Sequence, residues 1–193
     1  GWLSGDSLAE QAVHSVDKIG WAMKDADPIS CVATGGRQIP ANGGNIFDHF
    51  HIVYEFENKV LCHLGSRQQR GTHGENNDYI HGTKGQGIIA GDCTIKSTDG
   101  NWIDGPELST DMYQAEHDHL FKSIREGAAV NDGEWMAHST MLAIMGRMAA
   151  YTGKKITWEQ ALNSKQDLAP DNLKWDDEFK PDAMALPGQT KFS

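Results

Sequence analysis

Glu10, His14 and Asp17 are the residues whose types and spacing most readily support chemistry. At about 100° per residue they stack at i, i+4 and i+7 on one side of a helix. An acid, an imidazole and a second acid in one row suit proton transfer at neutral pH, because a carboxylate can orient the ring and shift its ionisation. The opposite side of the same helix carries Ala9, Ala12, Val13, Val16, Ile19, Gly20 and Met23, which would pack. Asp6 or Ser7 can cap its first turn. The pattern also describes an ordinary solvated helix face, and spacing alone does not choose between the two.

Other candidate motifs are weaker. Gly85-Gln86-Gly87-Ile88-Ile89-Ala90 fits a dinucleotide-binding GxGxxA literally, but that fingerprint needs a strand before it and a helix opening on it. Here Gly91-Asp92 and a strand-like Cys93-Thr94-Ile95-Lys96 follow, so a hairpin is expected. His49 and His51 share a strand face, yet no third ligand is positioned beside them and HExxH is absent. His117 and His119 diverge on a helix, so no metal site is expected. Cys31, Cys62 and Cys93 form no CxxC pair and read as buried thiols. No GxSxG is present for a serine nucleophile. Arg67 and Gln68 end a strand on its open side, where they can bind a hydroxyl or carboxylate or form a surface ion pair.

The elements that would position these residues follow from pattern. In 193 residues there is length for one domain with a real core. With 17 basic against 27 acidic side chains the formal charge is −10, which repels a polyanion and argues against nucleic acid. Nothing approaches a membrane span. From Phe47 to Arg67 the period is two, placing Phe50, Ile52, Tyr54 and Phe56 on one face and His49, His51, Val53 and Glu55 on the other. Further hairpins around Gly82-Thr83-Lys84-Gly85 bring the expected count to five or six strands. A helix capped by Ser109 or Thr110 is expected to end at Gly127, with Tyr113, His117, Leu120, Phe121 and Ile124 along one side. A second, from Glu134 to Tyr151, should be the most buried of the domain and stop at Gly153. Thr157 opens a short third helix through a capping box with Gln160.

This order predicts an α+β domain over residues 1–163: a largely antiparallel, open-faced sheet with helices packed on one face. Residues 164–193 read as an extended C-terminal arm with anchors at Leu173, Trp175, Phe179, Met184 and Leu186. The uncovered sheet face, with Leu61 and His63 beside the histidines of the second strand, suits contact with a second copy, so a homo-oligomer is expected.

Trp2-Leu3-Ser4-Gly5-Asp6, the segment Glu10 to Asp17, Gly35-Gly36-Arg37-Gln38, Gly82-Thr83-Lys84-Gly85 and Thr152-Gly153-Lys154-Lys155-Ile156-Thr157-Trp158 together resemble the C-terminal domain of the Gfo/Idh/MocA oxidoreductases. Within that family the likeness is to the bacterial glucose–fructose-oxidoreductase-like branch. The resemblance implies a C-terminal domain that supplies the substrate side of a cleft, and an N-terminal Rossmann domain, absent from this chain, that holds NAD or NADP. It implies His14 as the acid/base and Glu10, Gln11, Asp17, Asp6, Arg67 and Gln68 on the substrate side. Glu10 stands where the family more usually has Asp. Sugars, cyclitols and related polyols are the substrates implied, and the isolated chain is expected to be inactive and to bind no cofactor. The chain opens on Gly1 without a leader and reads as a piece of a longer protein, which leaves its compartment, cytoplasmic or periplasmic, open. The alternative is a non-enzymatic assembly module that kept the fold without the nucleotide-binding half.

Overall fold

The structure is a computed structural model, described for residues 4–39, 44–91, 93–100, 102–104, 111–170, 174–176 and 181–193. In chain order a π-helical turn, Ser7–Ala12, runs into α1 (Val13–Met23), followed by β1 (Ser30–Gly36), β2 (His49–Glu55) and β3 (Leu61–Arg67). Then come β4 (Asp78–Gly82), β5 (Gly85–Ile89), β6 (Thr94–Ser97), β7 (Trp102–Asp104) and α2 (Met112–Glu126). The last elements are α3 (Gly133–Thr152), β8 (Ile156–Thr157) and α4 (Trp158–Leu162). The fold is α+β, with antiparallel sheets as expected, but the strands form two four-stranded sheets rather than one of five or six. They divide between two compact units, Gly1–Gly71 with Gly133–Ser193, and Thr72–Asp132.

The first unit holds the core. Its sheet has the order β3-β2-β1-β8, and the β1–β2 register sets Cys31 opposite Tyr54, Ala33 opposite Ile52 and Gly35 opposite Phe50. Because the side-chain period of a strand is two, these residues share one face with Cys62 and Leu64 of β3. Phe50, Ile52, Tyr54, Phe56 and Leu64 are all buried there, as the alternation predicts. α3 lies on β1 and β2, and the π turn touches β2 and β3. α3 packs tightly on the sheet at Gly146, where an added Cβ would sit 2.6 Å from the Tyr54 hydroxyl and 2.8 Å from Ile52. One turn earlier the Tyr54 hydroxyl donates to the Leu142 carbonyl at 2.9 Å. The sheet's other face stays open, with Val32 and Leu61 exposed and the His51 and His63 rings 5.8 Å apart.

The end of α3 and the arm lock together. Gly153 takes φ +68°, and the Gly188 N–H donates to the Thr152 carbonyl at 2.8 Å, satisfying one of the helix's open acceptors. Ala185 and Phe192 pack on the core, so the arm covers its own domain. Trp175, expected as an anchor, is fully exposed, and Leu173 and Phe179 lie outside the described residues. The capping box of α4 is present, with Thr157 and Gln160 exchanging hydrogen bonds.

In the second unit β4 to β7 pair in sequence order. The GxGxxA segment is strand β5, joined to β4 by a two-residue turn. α2 ends at Gly127 as expected, but its cap is Asp111, whose carboxylate accepts from the Tyr113 and Gln114 N–H groups; Ser109 and Thr110 lie outside the described residues. Tyr113, Leu120, Phe121 and Ile124 on α2 are exposed. Among the described residues no helix is long and apolar enough to cross a membrane.

Candidate functional site

The head of the first helix is built on an unusual residue. Asp6 sits at φ +63°, a conformation that costs a side-chain-bearing residue about 1 kcal/mol or more. Its carboxylate offsets that by capping the helix: Oδ1 accepts from the Leu8 N–H at 3.0 Å, while Oδ2 accepts from Arg147 Nε at 3.1 Å and from the Tyr151 hydroxyl at 2.9 Å. The Tyr151 hydroxyl in turn accepts from the Phe47 N–H at 2.9 Å. Burial pushes the Asp6 carboxyl up and is the largest influence on it; the Leu8 N–H, Arg147 and Tyr151 pull the other way without reversing it. Asp6, which the family resemblance places on the substrate side, is 2% exposed in the chain. It is sealed inside, anchoring the π turn to α3.

The six other expected residues divide by what their side chains touch. Glu10 is exposed and accepts from the Ser4 hydroxyl at 2.8 Å. Gln11 is exposed beside it. His14, in the first turn of α1, is exposed, and its ring makes no hydrogen bond or ion pair with the described residues. Asp17 is half-buried and drawn to α3, its Oδ1 accepting from Trp135 Nε1 at 2.7 Å and from the Ser139 hydroxyl at 2.5 Å. The acid, imidazole and acid are thus not linked to one another: one carboxylate turns back to the preceding loop, the other turns into the fold, and the imidazole between them is left open. A π-helical turn places an extra residue in the helix and is often found at functional sites. Here it presents Glu10 and Gln11 one turn before His14.

Arg67 and Gln68 approach the same turn from the sheet. The Ser66 hydroxyl donates to the Ser7 carbonyl at 3.3 Å, so the end of β3 abuts the π turn. Both following residues are exposed, and the Gln68 N–H donates to the Asp48 carbonyl at 2.8 Å. Asp48 fixes this corner. Its carboxylate accepts from the Gln38 and Ile39 N–H groups at 2.9 and 2.8 Å, from Gln69 at 3.0 Å, and pairs with His49 Nδ1 at 2.8 Å. Burial raises the Asp48 carboxyl, but these four partners together outweigh it and hold it down at about 2.

The partners of Asp6, Arg147 and Tyr151, were not singled out by sequence. A signal existed: Arg147 is the only Lys or Arg in the 20 residues of α3, and such a charge in an apolar helix calls for a buried acid. The thiol of Cys31 is buried and pushed up to about 12 by that burial, which leaves it an inert core side chain. Among the described residues no three His, Cys, Asp or Glu side chains gather around a common point. The GxGxxA segment does not form a dinucleotide loop, since β5 is a paired strand with no helix opening on it.

No protein-family model and no curated protein matches the sequence. Solved structures do match. UDP-N-acetylglucosamine 3-dehydrogenase from Acidithiobacillus ferrooxidans superposes with a TM-score of 0.62 at 16% identity, over 75% of this chain and 47% of that one. An oxidoreductase from Agrobacterium radiobacter, solved with NAD+, L-tartaric acid and magnesium, gives 0.58 at 15% identity, over 78% and 48%. An oxidoreductase from Thermotoga maritima gives 0.57 at 20% identity, over 77% and 43%. At these identities the likeness establishes a shared fold, and the chain spans less than half the length of each of these structures.

Proposed function

We propose that this chain is the substrate-side and assembly half of an NAD(P)-dependent oxidoreductase of the Gfo/Idh/MocA type, acting on a sugar, cyclitol or related polyol. The observation that carries the reading is His14, an open imidazole at the head of a fold shared with just under half of the dehydrogenase and oxidoreductase chains described above. In this reading His14 takes or gives the proton of the hydroxyl that is oxidised or formed. Glu10 and Gln11 from the π turn, and Arg67 and Gln68 from the end of β3, hold neighbouring hydroxyls. Asp6 and Asp17 act through the fold, fixing the two ends of the segment that carries the imidazole. In this reading NAD or NADP is held by a separate Rossmann domain, as in the family that the sequence resembles, and the one GxGxxA match in this chain is a paired strand.

In the protein carrying both halves, His14→Ala lowers kcat by roughly 10²-fold or more. Unchanged turnover overturns the assignment, and saturable NAD binding by this chain alone overturns the placement of the cofactor. A second reading, a non-enzymatic assembly module, draws on the open sheet face, where Val32 is 45% and Leu61 54% exposed. The histidine variant separates the two readings. Sedimentation tests the homo-oligomer common to both, and a strict monomer at high concentration removes it.

A further inference from the structure

Arg147 has a further use that its contact with Asp6 does not exhaust. Its side chain is 9% exposed and is fixed along one edge and one face: Nε donates to Asp6, and the guanidinium carbon lies 4.1 Å from the Tyr151 ring centroid. The remaining edge, Nη1 and Nη2, has no hydrogen-bond partner among the described residues. Arg147 lines a hollow of about 460 Å³ between the last turns of α3 and the C-terminal arm. Nε is taken by Asp6, so the two-pronged Nη edge is the part of Arg147 left for a ligand in that hollow. Gln166 and Gln189 line the same hollow, their side-chain amides make no hydrogen bond among the described residues, and Leu168, Met184 and Phe192 give it an apolar wall. A space of this size suits a small molecule.

We propose that this hollow binds a small monocarboxylate of the sugar-acid class, its carboxylate received side-on by Arg147 Nη1 and Nη2 and its hydroxyls by Gln166 and Gln189. A planar carboxylate matches the guanidinium fork in geometry, and an arginine already held at one edge and one face loses little freedom on binding it. The charge balance favours one negative charge over two. Asp6 already offsets Arg147, and a second acid, the exposed Asp182, also lines the hollow, so a phosphate dianion is the poorer guest. The proposal stands apart from the role of His14, which does not line the hollow.

The test titrates the full chain with D-gluconate, D-glucose and inorganic phosphate, followed by calorimetry and by amide chemical shifts. Gluconate should bind saturably in the millimolar range and move the amides of Thr152, Gln189 and Thr190, while glucose and phosphate bind at least about tenfold more weakly. Arg147→Lys keeps a cation beside Asp6 but loses the fork, and should weaken gluconate about tenfold or more. Gln189→Leu, on the arm and away from the buried pair, should weaken it about threefold or more without altering the melting temperature. No saturable gluconate binding, equal binding of glucose or phosphate, or unchanged affinity in Gln189→Leu overturns the proposal.

Discussion

The two antiparallel sheets have four strands each and almost opposite burial. In the first, Cys31, Phe50, Ile52, Tyr54 and Leu64 close one face against α3. In the second no residue of β4, β5 or β6 is buried, although Tyr79, Ile80 and Ile95 are as apolar as their counterparts. Strand composition therefore does not make the core of this chain. One helix does, by covering one sheet closely enough that a glycine is required at the contact.

Glycine substitutions break this comparison most directly. Gly146→Ala puts a methyl 2.6 Å from the Tyr54 hydroxyl, and the Leu142 carbonyl holds that hydroxyl in place, so the first unit should lose about 1–3 kcal/mol in urea denaturation. An unchanged midpoint would mean that α3 can slide away from β2 at little cost. Next in size is Asp48→Asn. Its carboxyl, lowered from 3.8 to about 2 in the folded chain, contributes stability that is complete above the unfolded value and is lost as pH falls through about 2. The variant should be less stable by about 1 kcal/mol at pH 7, and the difference should vanish as pH falls through that window. A pH-independent difference would show that the acid's charge is not what ties the β1–β2 loop. The smallest effect is expected in the second sheet. A Cβ on Gly87 meets only Ile80, at an ordinary 3.7 Å, and Thr94 at 3.9 Å, so Gly87→Ala should be neutral or stabilise by about 0.4–1 kcal/mol, read by hydrogen exchange in β5. A loss as large as that of Gly146→Ala would erase the contrast between the sheets.

Local features were legible in the sequence because local chemistry decides them. The alternation from Phe50 to Phe56, the glycine stops at Gly127 and Gly153 and the capping box at Thr157 each depend on a few neighbouring residues. The grouping of strands was not legible, since which strands share a sheet depends on pairings across long stretches of chain. The row of Glu10, His14 and Asp17 was legible as spacing only. Its breaking depends on Ser4, Trp135 and Ser139, whose side chains reach it from outside the helix. The burial of Asp6 was not legible for the same reason: its partners Arg147 and Tyr151 lie more than a hundred residues away.

α3 carries attachments along nearly its whole length: Trp135 and Ser139 to Asp17, Leu142 to Tyr54, Arg147 to Asp6, Tyr151 to Phe47 and Thr152 to Gly188. These sites are spaced on a rod that advances about 5.4 Å per turn, so a slip by one turn would break every one of them together. The helix has no intermediate stopping place, and the first unit should melt as a single cooperative block rather than fray from either end.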